Sequence, residues 1–313
     1  MINPASKNTI TGIGLAVLAA IIWSGNFVVA KVVAGGIPPV SLAFYRWLTA
    51  SVIILPFAIK QFKAEWKTVL RSWHYFFWVA LSGIALFNTF VYVGAHYTTA
   101  INLALIGTTS SPIISVALAR IFLKEKIGLH KITGMIICII GVLFLLSKDD
   151  PTNLLHLHFD TGDLCVLLAA FCFSVYNTLV KKKPAAVSPV NFLFVAFSLG
   201  TIMLLPFFFW EISYATPVDW NNNYLLAILY LGLGTSVISF MIWNTAIQKL
   251  GAGRTALFGN LIPVFSSLEA ALFLHEKFTI IHRISLLIVF AGIVIANWQN
   301  KKTVAVTTSI PQD

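Results

Sequence analysis

The stretch Ser111–Lys126 reads SPIISVALARIFLKEK, and the stretch Ile262–Lys277 reads IPVFSSLEAALFLHEK. At an offset of 151 residues the second stretch repeats the proline, the Phe-Leu pair and the closing Glu-Lys of the first. An offset of 150 aligns further pairs nearer the N-terminus: Gly12 with Gly162, Ser24 with Ser174, Lys31 with Lys181, and Leu55-Pro56-Phe57 with Leu205-Pro206-Phe207. The chain therefore consists of two similar halves.

The composition is that of a membrane protein. Of the 313 residues, 58% are hydrophobic and only 10% are charged, whereas soluble domains carry about 25% charged residues. The mean hydropathy is +0.87. The three cysteines lie inside apolar runs and have no CxxC spacing, so they do not indicate a disulfide scaffold or a zinc site. Soluble enzymes and disordered proteins are excluded as well.

Ten apolar windows have the length of about 20 residues that a transmembrane helix needs. They cover residues 11–34, 38–59, 73–94, 100–123, 129–147, 162–180, 190–210, 224–247, 254–274 and 278–297. The sequence thus predicts an all-α membrane protein with ten transmembrane helices, five in each half.

The basic residues predict the orientation of these helices. If the N-terminus is cytoplasmic, 16 Lys and Arg residues fall on the inner side and 4 on the outer side, with Arg46 inside a window. Positive charge accumulates on the cytoplasmic side of membrane proteins. Both termini are therefore predicted to be cytoplasmic.

Five helices are an odd number, so the second half must enter the membrane upside down relative to the first. We predict two inverted five-helix repeats, residues 10–148 and 161–298, followed by a cytoplasmic tail, residues 299–313. Inverted repeats with a substrate site near the midplane are typical of secondary transporters.

Several short motifs resemble those of the EamA family of the drug/metabolite transporter superfamily. They are Trp23-Ser24-Gly25-Asn26-Phe27, Tyr45-Arg46, and a proline followed by a Leu-x-Glu-Lys turn at the end of the fourth and ninth helices. The resemblance covers roughly residues 10–298. It implies a multi-pass permease of the cytoplasmic (inner) membrane that exports amino acids or other small metabolites.

Polar and aromatic side chains inside the windows form the predicted binding set. Asn88 and Tyr92 lie four residues apart on one helix face, and the offset maps them onto Ser239 and Trp243. A cavity with aromatic walls and a few polar groups suits a small amphiphile, although the same residue types also pack membrane helices together. The predicted substrate-binding residues are Trp23, Asn26, Arg46, Asn88, Tyr92, Tyr176, Asn177, Ser239, Trp243 and Asn260.

Two ionisable residues stand out because charge inside a bilayer is costly. Arg46 can bind a substrate carboxylate through two parallel N–H bonds, or it can snorkel outward or tie helices together. Glu269 lies near the middle of the ninth window, six residues after Pro263. It is predicted to couple transport to protons, or else to be a structural carboxyl bonded to a neighbouring helix.

These features predict a secondary transporter that exports small metabolites by alternating access. Export of cationic drugs through cation–π contacts and uncoupled facilitated transport remain alternatives. A membrane sensor or an intramembrane enzyme is a more distant alternative. The sequence has no phosphate-binding loop and no HExxH motif, so we predict no enzymatic activity, cofactor, metal site or nucleic-acid partner. The expected partners are a small metabolite, the lipid bilayer and protons, with the chain acting as a monomer or a homodimer.

Overall fold

A computed structural model describes residues 4–33, 35–97, 100–125, 127–147, 161–273 and 280–297. These residues form helices joined by short connections, so the predicted all-α fold is confirmed for this part of the chain. Lys126, the turn around Glu276 and the predicted tail 299–313 lie outside the described residues.

Within the described residues, the predicted windows coincide with helices or with runs of consecutive helical segments, apart from Pro38. The α-helices are α1 (Pro4–Val33), α2 (Pro39–Arg71), α3 (Trp73–Ala80), α4 (Phe87–Tyr97), α5 (Ala100–Leu123), α6 (Leu129–Ser147), α7 (Thr161–Lys181), α8 (Pro189–Ile212), α9 (Asn222–Leu229), α10 (Ser239–Leu250), α11 (Ala252–Ala256), α12 (Ile262–Phe273) and α13 (Ile280–Asn297). Within the described ranges, six helical stretches are long and apolar enough to cross a membrane. The full set of ten crossings, their direction through the bilayer and the side of the termini stay predictions.

Helix α2 is longer than its window predicts. The apolar window ends near residue 59, but the helix continues to Arg71. The segment from Lys60 to Arg71 contains no Pro or Gly and is rich in Lys, Gln, Glu and Ala, which favour a helix regardless of hydropathy. The apolar length therefore predicted the membrane-compatible part of α2 and not its end.

Helices α2 and α8, which the repeat makes equivalent, run antiparallel and cap each other. The Glu211 carboxylate at the end of α8 accepts hydrogen bonds from the backbone N–H groups of Val40 (3.0 Å) and Ser41 (2.6 Å) at the start of α2. Glu65 near the end of α2 accepts a bond of 2.9 Å from the backbone N–H of Ser188, the N-cap of α8. A carboxylate at a helix N-terminus pairs with free N–H groups and with the helix dipole.

At two places a residue contacts its own counterpart in the other half. Ser51 and Thr201 lie 3.5 Å apart at the α2–α8 contact. The Cys138 thiol donates to the backbone oxygen of its counterpart Val289 (3.6 Å) at the α6–α13 contact. A residue can contact its own counterpart only close to a two-fold axis. Both contacts are those expected if the predicted inverted repeats are related by a two-fold axis that passes near them.

The remaining contacts between the halves are reciprocal. Helix α7 packs against α4 and α5, and its counterpart α1 packs against α10 and α12. Each half thus places its first helix against the third and fourth helices of the other half. This arrangement encloses the centre of the bundle between α1, α4, α5, α7, α10 and α12.

The loops that carry basic residues meet at one end of the bundle. Three hydrogen bonds join them. Two cross between the halves, Tyr75 Oη to Leu179 O (2.8 Å) and Lys249 Nζ to Asn8 Oδ1 (3.0 Å), and the third, Lys181 Nζ to Gln248 O (2.7 Å), lies within the second half. The opposite end holds the contact of Glu211 with the start of α2. The charge count predicts that these basic loops lie on one side of the membrane, and its assignment of that side to the cytoplasm stays a prediction.

We expect Glu211→Ala to lower the free energy of unfolding by about 2 kcal/mol, because it leaves buried N–H groups without a charge-assisted acceptor. Denaturant unfolding of the protein in detergent micelles measures the change. Asp219→Ala is the matched control, since Asp219 is an exposed acid in the segment that follows α8. Equal stabilities of the two variants would show that the reciprocal caps contribute nothing.

Candidate functional site

The Arg46 guanidinium lies at the centre of the bundle and is 2% exposed. It is held by acceptors from α1, α4 and the segment before α10: Ser236 Oγ (2.8 Å), Asn26 Oδ1 (3.1 Å), Asn88 Oδ1 (3.0 Å), Tyr92 Oη (3.0 Å) and the backbone oxygen of Thr235 (3.2 Å). All five acceptors recorded in the described part of the chain are neutral. The positive charge of Arg46 is therefore solvated by the protein without being neutralised by these groups.

Two π-helical segments position these acceptors. Leu81–Leu86 joins α3 to α4, and Tyr230–Ile238 joins α9 to α10, at equivalent positions of the two halves. A π-helical turn widens the helix and often marks a functional site. In the second segment the Thr235 carbonyl accepts hydrogen bonds from both Trp23 Nε1 (2.8 Å) and Arg46 Nη2. One backbone oxygen thereby connects α1 and α2 to the second half.

Aromatic rings form the wall opposite Arg46. The Trp23 ring lies 4.9 Å from the Trp243 ring and 5.7 Å from the Phe173 ring, centroid to centroid. Phe87 stacks on Phe173 at 4.5 Å. The indole N–H of Trp243 donates to Asn177 Oδ1 (2.9 Å), so its polar edge is occupied and its apolar surface remains available.

A cavity of about 110 Å³ lies between Arg46 and the aromatic wall. Five of the ten predicted binding residues line it: Trp23, Asn26, Arg46, Asn88 and Trp243. The lining also includes Phe87, Ser111 and Phe173, which were not in the predicted set. Helices α1, α2, α4, α5, α7 and α10 all contribute, so the cavity belongs to both halves.

The other five predicted residues lie behind the cavity wall. Tyr92 bonds to Arg46, and Asn177 receives the Trp243 indole. The remaining three bond elsewhere: Tyr176 Oη with the side-chain amide of Asn244 (2.9 Å), Ser239 Oγ with Gly234 O (3.0 Å), and Asn260 Nδ2 with Leu257 O (3.1 Å). These residues support the wall, and direct contact with a substrate stays a prediction for them.

Glu269 lies next to the cavity on α12 and faces α1. Its Oε1 is 2.6 Å from Ser24 Oγ, which is also 2.5 Å from the backbone oxygen of Ile21. The Ser24 hydroxyl donates to the Glu269 carboxyl and links α12 to α1. The other carboxyl oxygen, Oε2, is buried and has no hydrogen-bond partner among the described residues.

Gly25 allows the side chain of Tyr230, on the π-helical segment Tyr230–Ile238, to approach α1 closely. A Cβ at this position would overlap the Tyr230 hydroxyl and lie 3.3 Å from Glu269 Oε2. Tyr230 Oη itself donates to the Ile22 backbone oxygen (2.8 Å). The Trp23-Ser24-Gly25-Asn26 motif thus contributes an aromatic wall, a carboxyl partner, a close contact and an Arg46 acceptor in succession.

Sequence reasoning missed Thr235, Ser236 and Ser24 as parts of the site. Serine and threonine are common in the packing of membrane helices, so residue type alone does not single them out. The signal for Ser24 was its place in the motif between Trp23 and Asn26. Among the described residues no group of three or more His, Cys, Asp and Glu side chains is placed to hold a metal ion.

Comparison with known proteins agrees with this architecture. A transporter of Archaeoglobus fulgidus with no characterised substrate is 29% identical over 89% of this chain and 94% of its own. A probable amino-acid metabolite efflux pump of Escherichia coli is 25% identical over 90% of this chain and 93% of its own. A solved crystal structure with 17% identity covers 93% of this chain and 96% of its own, with a TM-score of 0.74, and at this identity shows the fold alone.

The sequence profile of the EamA-like transporter family matches residues 10–147 and 160–298. The match confirms the resemblance inferred from the short motifs. Both the family and its named relatives are transporters embedded in membranes, which points to transport and away from enzymatic activity. This chain belongs to the EamA-like transporter family.

Proposed function

We propose that this protein is a secondary transporter of the cytoplasmic membrane that exports small metabolites, amino acids or related compounds. The observation that carries the proposal is the Arg46 guanidinium, buried at the midpoint of the bundle and exposed only to a cavity shared by both halves. A charge in this position is costly, and a substrate carboxylate would neutralise it. The name of the Escherichia coli relative supports the same class of substrate.

Alternating access follows from the reciprocal contacts between the halves. The pairs α7–α4 and α7–α5 are exchanged by the two-fold axis with α1–α10 and α1–α12. Tightening one set while loosening the other would open the cavity first to one side of the membrane and then to the other. The α2–α8 and α6–α13 contacts lie on the axis and would remain in both states. A single chain supplies both halves, so we propose that a monomer is sufficient.

Proton coupling is assigned to Glu269. The Glu269 carboxyl accepts a hydrogen bond from Ser24 on α1. Ser24 precedes Gly25 and Asn26, and Asn26 is an Arg46 acceptor. Ionisation of Glu269 would place a negative charge against the part of α1 that lines the cavity and would strengthen its bond to Ser24. Tyr230, on the π-helical segment, is a second titratable group beside this part of α1.

The cavity chemistry disfavours the alternative of cationic drugs. The ionisable side chain in the described lining is Arg46, which repels cations. The acid on which cation recognition would rely, Glu269, is bonded to Ser24 behind the lining.

Coupling of transport to protons through Glu269 can be measured as flux. Sealed proteoliposomes loaded with labelled amino acids should release some of them, and faster when a pH gradient is imposed. Glu269→Gln should remove the acceleration by the gradient, because the amide cannot exchange a proton, while gradient-independent exchange persists. Asp219→Asn, a change at an exposed acid, is the control. An unaltered gradient response in Glu269→Gln would assign the carboxyl to structure and favour a facilitator.

The proposed contact of Arg46 with a substrate carboxylate is tested by removing the charge. We expect Arg46→Gln to reduce transport about tenfold or more, because a charge-assisted hydrogen bond to a carboxylate contributes roughly 1.5–3 kcal/mol. Initial rates of release from the same proteoliposomes measure the loss. Thr201→Val, a buried polar change on α8 away from the cavity, is the control. A folded, inserted Arg46→Gln protein with normal rates would contradict the proposed carboxylate contact.

A further inference from the structure

Two hydrogen-bond donors of the cavity lining are left unpaired among the described residues, whereas the unpaired Glu269 Oε2 lies outside the lining. Asn88 is 3% exposed and lines the cavity. Arg46 can only donate, so the atom that Asn88 turns toward it must be Oδ1, which fixes Nδ2 on the other side. Asn88 Nδ2 is buried and has no acceptor among the described residues.

Arg46 supplies a second unpaired donor beside it. A guanidinium carries five N–H groups. The bond from Nε reaches Ser236, and the two hydrogens of Nη1 face Asn26, Asn88 and Tyr92. The bond recorded for Nη2 in the described structure is the single one to Thr235 O, which leaves its other hydrogen available. An unpaired buried donor costs free energy until a ligand supplies an acceptor.

The amide oxygens of the cavity are already engaged. Asn26 Oδ1 and Asn88 Oδ1 accept from Arg46, and the Ser111 backbone oxygen accepts from Ser174 Oγ (3.0 Å). No Asp or Glu belongs to the described lining. The Ser111 hydroxyl is a neutral group of the lining that can donate or accept. The two indole N–H groups are bonded outside the cavity.

This arrangement fits an oxyanion on an apolar body, and the described lining has no carboxylate to neutralise an ammonium group. In an α-amino acid the ammonium is attached one carbon from the carboxylate, so a carboxylate bound to Arg46 would bring it close to the guanidinium. There it would lose its water and meet a like charge without an anionic partner.

We propose, on the basis of the carboxylate contact in the proposed function, that this site recognises the carboxylate alone. It takes small monocarboxylates without an amino group, such as 2-oxo acids, at least as well as the corresponding amino acids. The cavity of about 110 Å³ limits the apolar body to a few carbons. The aromatic wall could instead hold an ammonium by cation–π attraction, and the test separates the two cases.

The test compares three ligands with one carbon skeleton on the purified full-length protein in micelles, by calorimetric titration. The ligands are L-valine, its oxo acid 3-methyl-2-oxobutanoate and its decarboxylated amine isobutylamine. We expect the oxo acid to bind with a Kd equal to or below that of valine, and the amine to bind at least tenfold more weakly. An oxo acid that binds tenfold more weakly than valine, or an amine that matches it, overturns the inference.

Asn88→Ala tests the donor pair. It should weaken binding of valine and of the oxo acid by a similar factor, about tenfold, because both present the same carboxylate. Thr201→Val is the matched control and should change neither Kd. A loss of affinity confined to valine would show that Asn88 serves the amino group and would overturn the inference.

Failure of the inference is distinguishable from failure of the proposed function. Release of valine from proteoliposomes combined with no binding of the oxo acid leaves the transporter intact and refutes carboxylate-only recognition. Tight binding of the oxo acid without release of any of the three ligands supports the recognition and refutes export of this class of compound.

Discussion

A guanidinium buried in a membrane helix bundle is the constraint on which the rest of this structure depends. Insertion scales assign a cost of about 2.5–3.5 kcal/mol to such a charge, and the protein meets it with acceptors from three separate elements, α1, α4 and the π-helical segment Tyr230–Ile238. Because each acceptor must lie at hydrogen-bonding distance, Arg46 fixes how these elements approach one another. The cavity is the space that remains when that requirement is satisfied and aromatic rings close the opposite side.

Arg46 and Glu269 are both bonded to residues of α1. Trp23 shares the Thr235 carbonyl with Arg46, Ser24 bonds to Glu269, and Asn26 accepts from Arg46. These residues lie within a single turn of helix, so a shift of α1 that follows from one group must displace the partner of the other. Around them the reciprocal caps of Glu65 and Glu211 hold α2 against α8. The arrangement combines these caps between α2 and α8 with a first helix in each half that packs against the other half.

The sequence anticipated the helices well and the cavity in part. Asn88 lines the cavity but Tyr92, four residues later, does not. Likewise Trp243 lines it but Ser239 does not. Residues four apart share a helix face but lie about 6 Å apart along the axis, more than a small cavity spans. Helical periodicity therefore selects the correct face without selecting the correct turn. The π-helical segments add to this uncertainty, because they change the phase of the helix that follows and have no signature in hydropathy.

Apolar length, charge distribution and self-similarity determined the membrane class, the helix positions and the two similar halves. These properties are written locally along the chain or recur at a fixed offset, so no tertiary information is needed to read them. Only the tertiary structure decided which donors remain unpaired, which carbonyl joins the halves and which acids cap α2 and α8. Glu211 is 171 residues from Val40, and Arg46 is 190 residues from Ser236. Partners so far apart in sequence are chosen by helix packing, and that packing sets the chemistry of the cavity.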